Sequence, residues 1–271
     1  MPRIIKIVVG TLVVLVFAGA IIYAFKGGPS PRPKLPNPNG YEDFIAAARL
    51  TGKPLIFETN GPIADFAANV AANRRALDLA RAGLGKKCEA FEMDDPGGTN
   101  WLPALAGFKS ICGLFTEDAR VAGETNAAAG MADCLDAVRF SREIARGGPL
   151  INHLVGIACQ QIALTEAARH AARMSPAECV EAARSFRQVE RDAATWDEVL
   201  AGERAYFNRH AGSRDQLARM VMWKSLDASF KSARAKFDAS TARLKTFIAR
   251  LDARARDGGG DAPAAVSRTS P

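Results

Sequence analysis

The stretch Gly147–Arg173, GGPLINHLVGIACQQIALTEAARHAAR, decides how the chain is read. Two glycines end one helix, and Pro149 stands where a helix tolerates proline best, at its start. Leu150, Ile151, Leu154, Val155, Ile157, Ala158 and Ile162 then recur at helical spacing over a wide arc. An arc that wide suggests a helix with neighbours on several sides, the central one of a bundle.

Working outward from it, the same helix–break–helix rhythm repeats. Toward the C-terminus, Ser175-Pro-Ala-Glu178, Thr195-Trp-Asp-Glu198 and Ser213-Arg-Asp-Gln216 are three capping boxes, in which a hydroxyl and a carboxylate or amide satisfy the first amides of a helix reciprocally. Toward the N-terminus, Met131, Cys134, Leu135, Val138 and Ala145 form one apolar stripe, entered near Thr125. Trp101, Leu105, Phe108, Cys112, Phe115 and Ala119 form another, capped by Asn100.

Earlier still, Asn39 caps a helix to about Leu50, and a single long helix is expected from Pro62 to about Ala82 through Ile63, Phe66, Val70 and Leu77. Cys88–Met93 is the strand-like piece, followed by the loop Asp94–Asn100. Alanine-rich sequence with 48% hydrophobic but only 7% aromatic residues, and few strand formers after the first 25 positions, indicates an all-α protein.

The last helix is expected over residues 213–256. Trp223, Leu226, Phe230, Ala233, Phe237, Ser240, Leu244, Phe247 and Leu251 keep a three–four spacing, a coiled-coil-like or bundle seam. Its other faces are basic: between Ser213 and Arg256 eleven Lys/Arg stand against four Asp, a net +7 that equals the charge of the whole chain. Three uses compete: packing of the seam on the rest of the domain; self-association or a helical partner through Trp223, Leu226, Phe230, Phe237, Leu244, Phe247 and Leu251; and binding of anionic lipid or nucleic acid by the basic faces. Residues 257–271, rich in Gly, Ala and Ser, read as a disordered tail.

At the other end, Ile7–Phe25 offers 19 consecutive uncharged residues, about 28 Å of helix at ~1.5 Å per residue, close to the ~30 Å of bilayer hydrocarbon. Residues 1–26 are therefore read as a transmembrane anchor. The competing reading is a cleaved signal peptide ending at Ala18-Gly19-Ala20, but the apolar run continues past that point through Ile21–Phe25. Basic residues flank both sides of the span, so orientation rests on the signal-like shape, which favours the domain outside the cytoplasm. Residues 27–40 hold five of the fourteen prolines and form a spacer that stands residues 41–212, the all-α domain, off the bilayer. The expected architecture is thus an N-terminal transmembrane helix, a Pro-rich spacer, and an irregular bundle or helical-hairpin array ending in a long basic helix.

Two phrases, Leu35–Phe44 (LPNPNGYEDF) and Arg146–Ala158 (RGGPLINHLVGIA), resemble single-span proteins of planctomycete-type bacteria that have no assigned activity. The resemblance covers residues 1 to 200. It implies a spacer leading into an N-terminal helical pair, an extended segment near Cys88 and then helical hairpins. It implies nothing about chemistry.

The residues themselves carry no reaction signature. None of the five cysteines has C-x-x-C spacing, no H-E-x-x-H or EF-hand loop occurs, and phosphate-cradling and G-x-S-x-G motifs are absent. No catalytic, cofactor or metal site is expected. Cys112 and Cys134 flank the turn near Thr125 at similar distances, so an antiparallel hairpin brings them to one height and a disulfide in an oxidising compartment is one reading. Two buried free thiols are the other, favoured because helix axes ~8–10 Å apart seldom bring Cα atoms within disulfide reach. The three histidines are read as satisfied or solvated side chains; if one is functional it is His153, which stands nearest the expected core. The function expected is a single-pass membrane protein whose helical domain is a structural or protein-interaction module.

Overall fold

The computed structural model describes residues 34–51, 61–90, 101–210 and 227–257. Every regular element among them is a helix: α1 (Gly40–Leu50), α2 (Ile63–Ala72), α3 (Arg74–Leu84), α4 (Trp101–Thr125), α5 (Ala127–Glu143), α6 (Leu150–Ala171), α7 (Pro176–Arg191), α8 (Trp196–His210) and α9 (Asp227–Asp257). No helix among the described residues is long and apolar enough to cross a membrane. The expected anchor over residues 1–26, the first half of the spacer, the third capping box at Ser213 and the tail lie outside the described residues.

The chain divides into two compact units. Leu35–Glu203 with Phe230–Pro271 holds the core; Met1–Lys34 with Arg204–Ser229 contributes, among the described residues, Lys34 and the helical ends of α8 and α9. In the larger unit α4, α5 and α6 pack pairwise on one another, α1 lies on α3 and α4, α2 on α4, and α7 on α5. Its centre is an aromatic cluster. Phe140 takes Phe44 edge-on at 5.0 Å and Phe108 at 6.0 Å between ring centroids, and Tyr41 meets Phe108 at 5.6 Å. Edge-to-face pairs of this kind add to the burial of the rings themselves.

Local chemistry explains the helix starts. Ser175 accepts from the amide of Glu178, whose carboxylate takes the Ser175 amide in return. Thr195 and Glu198 do the same at 2.7 and 3.3 Å. Asn39 caps α1 through Tyr41 N and also clamps a distant strand of chain, accepting from Glu89 N at 3.0 Å and donating to Glu89 O at 2.8 Å.

Several expectations need correction. The helix anticipated over Pro62–Ala82 is two, broken at Asn73. The Asn73 side chain donates to Asn69 O at 2.9 Å, and this local bond turns the chain out of the helix. Cys88–Ala90 is extended but is no strand, held by Ala90 N to Arg146 O and by Asn39; Phe91–Met93 lie outside the described residues. The turn near Thr125 is capped one residue later, by Asn126, which accepts from Ala129 N.

The central helix is central, but its deepest face is not the apolar arc. Leu150, Ile151, Leu154, Val155, Ile157, Ala158 and Ile162 are only half-buried. The fully sealed face carries Asn152, His153, Gly156, Cys159, Gln160, Ala163, Glu166, Ala167 and His170. Small residues let backbones approach: a Cβ on Gly156 would lie 2.4 Å from Ser141 O of α5. The polar groups survive there because each but His170 has a partner. Asn152 donates to Tyr41 Oη and Ile144 O, Gln160 to Ser240, and Glu166 receives Arg120.

The heptad seam of α9 is likewise internal. Leu244, Phe247 and Leu251 are buried in the main core, and Phe247 meets Phe186 of α7 edge-on at 5.1 Å. Arg187 of α7 pairs with Asp252. Of the residues expected as a surface for a helical partner, Leu244, Phe247 and Leu251 are therefore buried in the chain's own bundle, while Phe237 is half-buried. Phe230 is half-buried; Trp223 and Leu226 lie outside the described residues.

Candidate functional site

Where α5 ends and α6 begins, the backbone turns through Gly147, whose φ of +69° is left-handed and suits glycine alone among unstrained residues. This turn, with α6, the end of α7, α8 and α9 of the larger unit, encloses a cavity of about 460 Å³. Every wall belongs to that unit. Its size falls in the usual range for small-molecule sites.

Three side chains set its chemistry. His153, in the first turn of α6, is 9% exposed. Its ring donates to the Gly148 carbonyl, and burial, aided by the charge of Arg142, pushes its pKa down to about 4. It is thus a neutral imidazole with one nitrogen left as an acceptor. Gln160, two turns on, is fixed by donating to Ser240 Oγ at 2.7 Å and Ser240 O at 2.9 Å, which ties α9 to α6 beside the cavity.

Arg142 is the anomaly. It projects from the last turns of α5 under the surface, and its Nε is sealed from solvent without a hydrogen-bond partner. No carboxylate among the described residues forms an ion pair with it. Burial lowers its pKa, opposed only by the more distant charge of Glu190. The neighbouring cation is already engaged: Arg146 forks onto Glu143 at 2.8 and 2.9 Å. Buried guanidinium groups normally have their donors matched, and this Nε does not; being closed to solvent on every side, it does not itself open into the cavity that Arg142 helps to line.

Acidic groups also line the cavity. Glu89 sits against Gly147, with its pKa raised by burial, while Asp192 receives the Gln188 amide and Glu198 the Thr195 amide and hydroxyl. The remaining surface is apolar, from Ile157, Val199 and Phe237 among others. The arrangement offers two guanidinium groups without an ion pair, those of Arg142 and Arg191, with one neutral acceptor and a hydrocarbon wall. Among the described residues no group of three His, Cys, Asp or Glu is placed to hold a metal ion.

Of the residues singled out from sequence, His153 and Phe237 line the cavity. Cys112 and Cys134 do not: both are buried free thiols, and Cys112 Sγ donates to Cys159 O at 3.3 Å. Leu244, Phe247 and Leu251 are core residues. Ser240 stands on the expected seam of α9, but Arg142 and Gln160 were not foreseen. Each sits in a helical stretch where a charged or polar residue reads as solvent-facing, and the one local signal nearby is the Gly147-Gly148 turn. No family model, curated protein or solved structure matches this chain.

Proposed function

We propose that this protein is a single-pass, membrane-anchored helical module that works by binding, with the proline-rich spacer holding the all-α domain at the membrane surface and the α5–α9 cavity receiving a small molecule. The observation that carries the reading is a preformed cavity of about 460 Å³ on which Arg142, Arg191, His153 and Gln160 converge beside an apolar wall. A preformed pocket with few convergent polar groups is the usual form of a ligand site. The anchor is supported by the uncharged run Ile7–Phe25.

The test uses the full chain with a C-terminal tag. In intact spheroplasts, protease removes the tag if the domain lies outside the cytoplasm; recovery of the protein in the soluble fraction would overturn the anchor. Native mass spectrometry of protein released from its membranes would show a retained small molecule. Gly202→Leu projects into the cavity from α8, where an added Cβ meets nothing closer than Gly148 O at 3.6 Å, and it should abolish that retention.

A second reading has an observation in its favour. With its apolar seam turned inward, α9 leaves Lys236, Arg250 and Arg256 exposed. On a cytoplasm-facing domain such a surface would bind anionic lipid or nucleic acid. Co-sedimentation with phosphatidylglycerol vesicles that weakens steeply with salt, together with a tag protected until lysis, would favour it.

A further inference from the structure

Along α6 and α9 the larger unit carries a strip of cations that its own carboxylates leave unmatched. Lys236, Arg243, Arg250 and Arg254 follow one another at seven, seven and four residues. At about 100° per residue that spacing sets them on one edge of α9, beside the buried seam. Two contacts hold this edge against α6: Arg243 donates to Thr165 Oγ1 at 3.1 Å and Arg254 to Ala172 O at 3.0 Å. Thr165, Arg169 and Ala172 share one stripe of α6, so Arg169 stands between those contacts. Arg173 follows Ala172 and donates to Glu124 O at 2.8 Å. All six basic residues are exposed.

Their partners are mostly neutral. Arg173, Arg243 and Arg254 each spend a donor on a hydroxyl or a backbone carbonyl, which leaves most of the five N–H donors of each guanidinium over. Carbonyls at a helix C-terminus offset only part of a positive charge. Arg169 pairs with Glu166, which it shares with Arg120. On α9, Asp238 is taken by Arg234 and Asp252 by Arg187 of α7. Against the other five cations, the end of the strip offers Glu124, beside Arg173, and Asp257. Arginine predominates, and its weakly hydrated fork matches phosphate oxygens. No exposed aromatic side chain accompanies the strip among the described residues, so it lacks the stacking platform that single-stranded nucleic acid requires. We infer that this strip docks on the phosphate headgroups of anionic phospholipid. The inference rests on the membrane-anchored reading and narrows the α9 surface named above to one edge joined with α6. The spacer of residues 27–40 extends no more than ~45 Å at ~3.1 Å per residue, so headgroups stay within reach. Tethering then lets several weak contacts act together.

The experiment holds the full chain in phosphatidylcholine nanodiscs and measures its capture by sucrose-loaded vesicles. These are phosphatidylcholine alone or with about 30% phosphatidylglycerol, the anionic component. The expected result is capture by the anionic vesicles only, falling steeply with added salt. Arg243→Gln, Arg250→Gln and Arg254→Gln combined should weaken capture about a hundredfold, at roughly fivefold per cation near the surface. The same three positions changed to Lys keep the charge and should keep most of the capture. Arg49→Gln, Arg75→Gln and Lys87→Gln remove as much charge from exposed positions outside the strip, and should change capture less than about threefold. Equal loss in this control would reveal a response to net charge alone, and equal loss in the lysine variant a response to packing; either overturns the strip. Equal capture by both kinds of vesicle overturns the inference, and so does tight binding of duplex DNA without vesicle capture, which would assign the strip to nucleic acid. Recovery of the chain in the soluble fraction would overturn the anchor instead, and vesicle capture is then read on the soluble chain directly.

Discussion

The imidazole of His170 fills the space in front of Gly123: a Cβ on that glycine would lie 2.1 Å from Cε1 and 2.5 Å from Nδ1. Gly130, across the α4–α5 turn, completes the notch, since its Cβ would meet the same Cε1 at 2.8 Å and Ala119 O at 2.6 Å. The ring is 3% exposed, and neither nitrogen has a hydrogen-bond partner, although Glu166 stands 3.7 Å from Nε2. It is therefore a packing element wedged between two helices, and burial lowers its pKa.

Alanine in place of a helical glycine ordinarily gains ~0.5–1 kcal/mol. At Gly123 the sign reverses, because the added Cβ would stand 2.1 Å from a buried ring that must then shift, and Gly123→Ala is expected to cost about 1–3 kcal/mol in chemical denaturation. In a His170→Ala background the same substitution should cost nothing or stabilise, the strong coupling expected of contacting residues. Equal cost in both backgrounds would show that the notch does not bind the ring. Gly202→Ala is the control: its Cβ makes only an ordinary contact at 3.6 Å, so it should stabilise.

This contrast shows what sequence could and could not supply. Helix starts at Ser175 and Thr195 were legible because a capping box is a local device whose partners are three residues apart. The break at Asn73 was not: Ile63, Phe66, Val70 and Leu77 keep one phase across it, and the bond that breaks the helix is a single side chain's choice. His153, Phe237, Ser240 and the Gly147-Gly148 turn were each noted in the sequence, but nothing there joined them into a cavity. Arg142, Gln160 and Ser240 come together from three helices, and the distinguishing fact about Arg142, a donor without an acceptor, exists only once the chain is folded. Depth along α6 misled for a related reason, since its innermost face is held by long-range hydrogen bonds and not by hydrophobicity.

His153 makes stability depend on pH. Its folded pKa is about 4 against an ordinary 6.5, set by burial and by Arg142, and offset in part by the bond to Gly148 O. The unfolded chain takes up the proton first on acidification. The stabilisation from a neutral His153 is therefore complete above pH 6.5 and is lost as pH falls toward 4, by up to about 3 kcal/mol. Other groups titrate in this window, so the measurement is a difference. Stability of His153→Gln relative to the parent, from urea melts at pH 7 and at pH 4, should improve by roughly that amount at the lower pH. A constant difference would mean that His153 titrates normally.

Burial of the α9 seam separates two roles of the same residues. Phe247 is 4% exposed and packed on Phe186, so Phe247→Ala should cost about 3–5 kcal/mol, as large-to-small changes in a core do. A helix that met a second copy through this seam would instead respond with a shift in oligomeric state at unchanged monomer stability. Sedimentation equilibrium beside thermal melts of parent and variant distinguishes them. The expected outcome is a lower melting temperature and no change in mass.

The five thiols provide a count independent of any packing energy. All are free and buried, and Cys112 faces Cys159 O instead of Cys134. Hydrogen bonding to Cys159, then burial, hold the Cys112 thiol well above its ordinary pKa, while burial does so for Cys134 and pushes Cys88 up to about 12. With so little thiolate at neutral pH, the folded protein should react slowly with a disulfide reagent even though no bond protects the sulfurs. Protein prepared without reductant and unfolded in denaturant should then release five equivalents at once. Two fewer equivalents, restored by reduction, would establish a Cys112–Cys134 or other disulfide and would place the domain in an oxidising compartment. Slow labelling that becomes complete on unfolding separates burial from bonding, which the folded-state reactivity alone could not do.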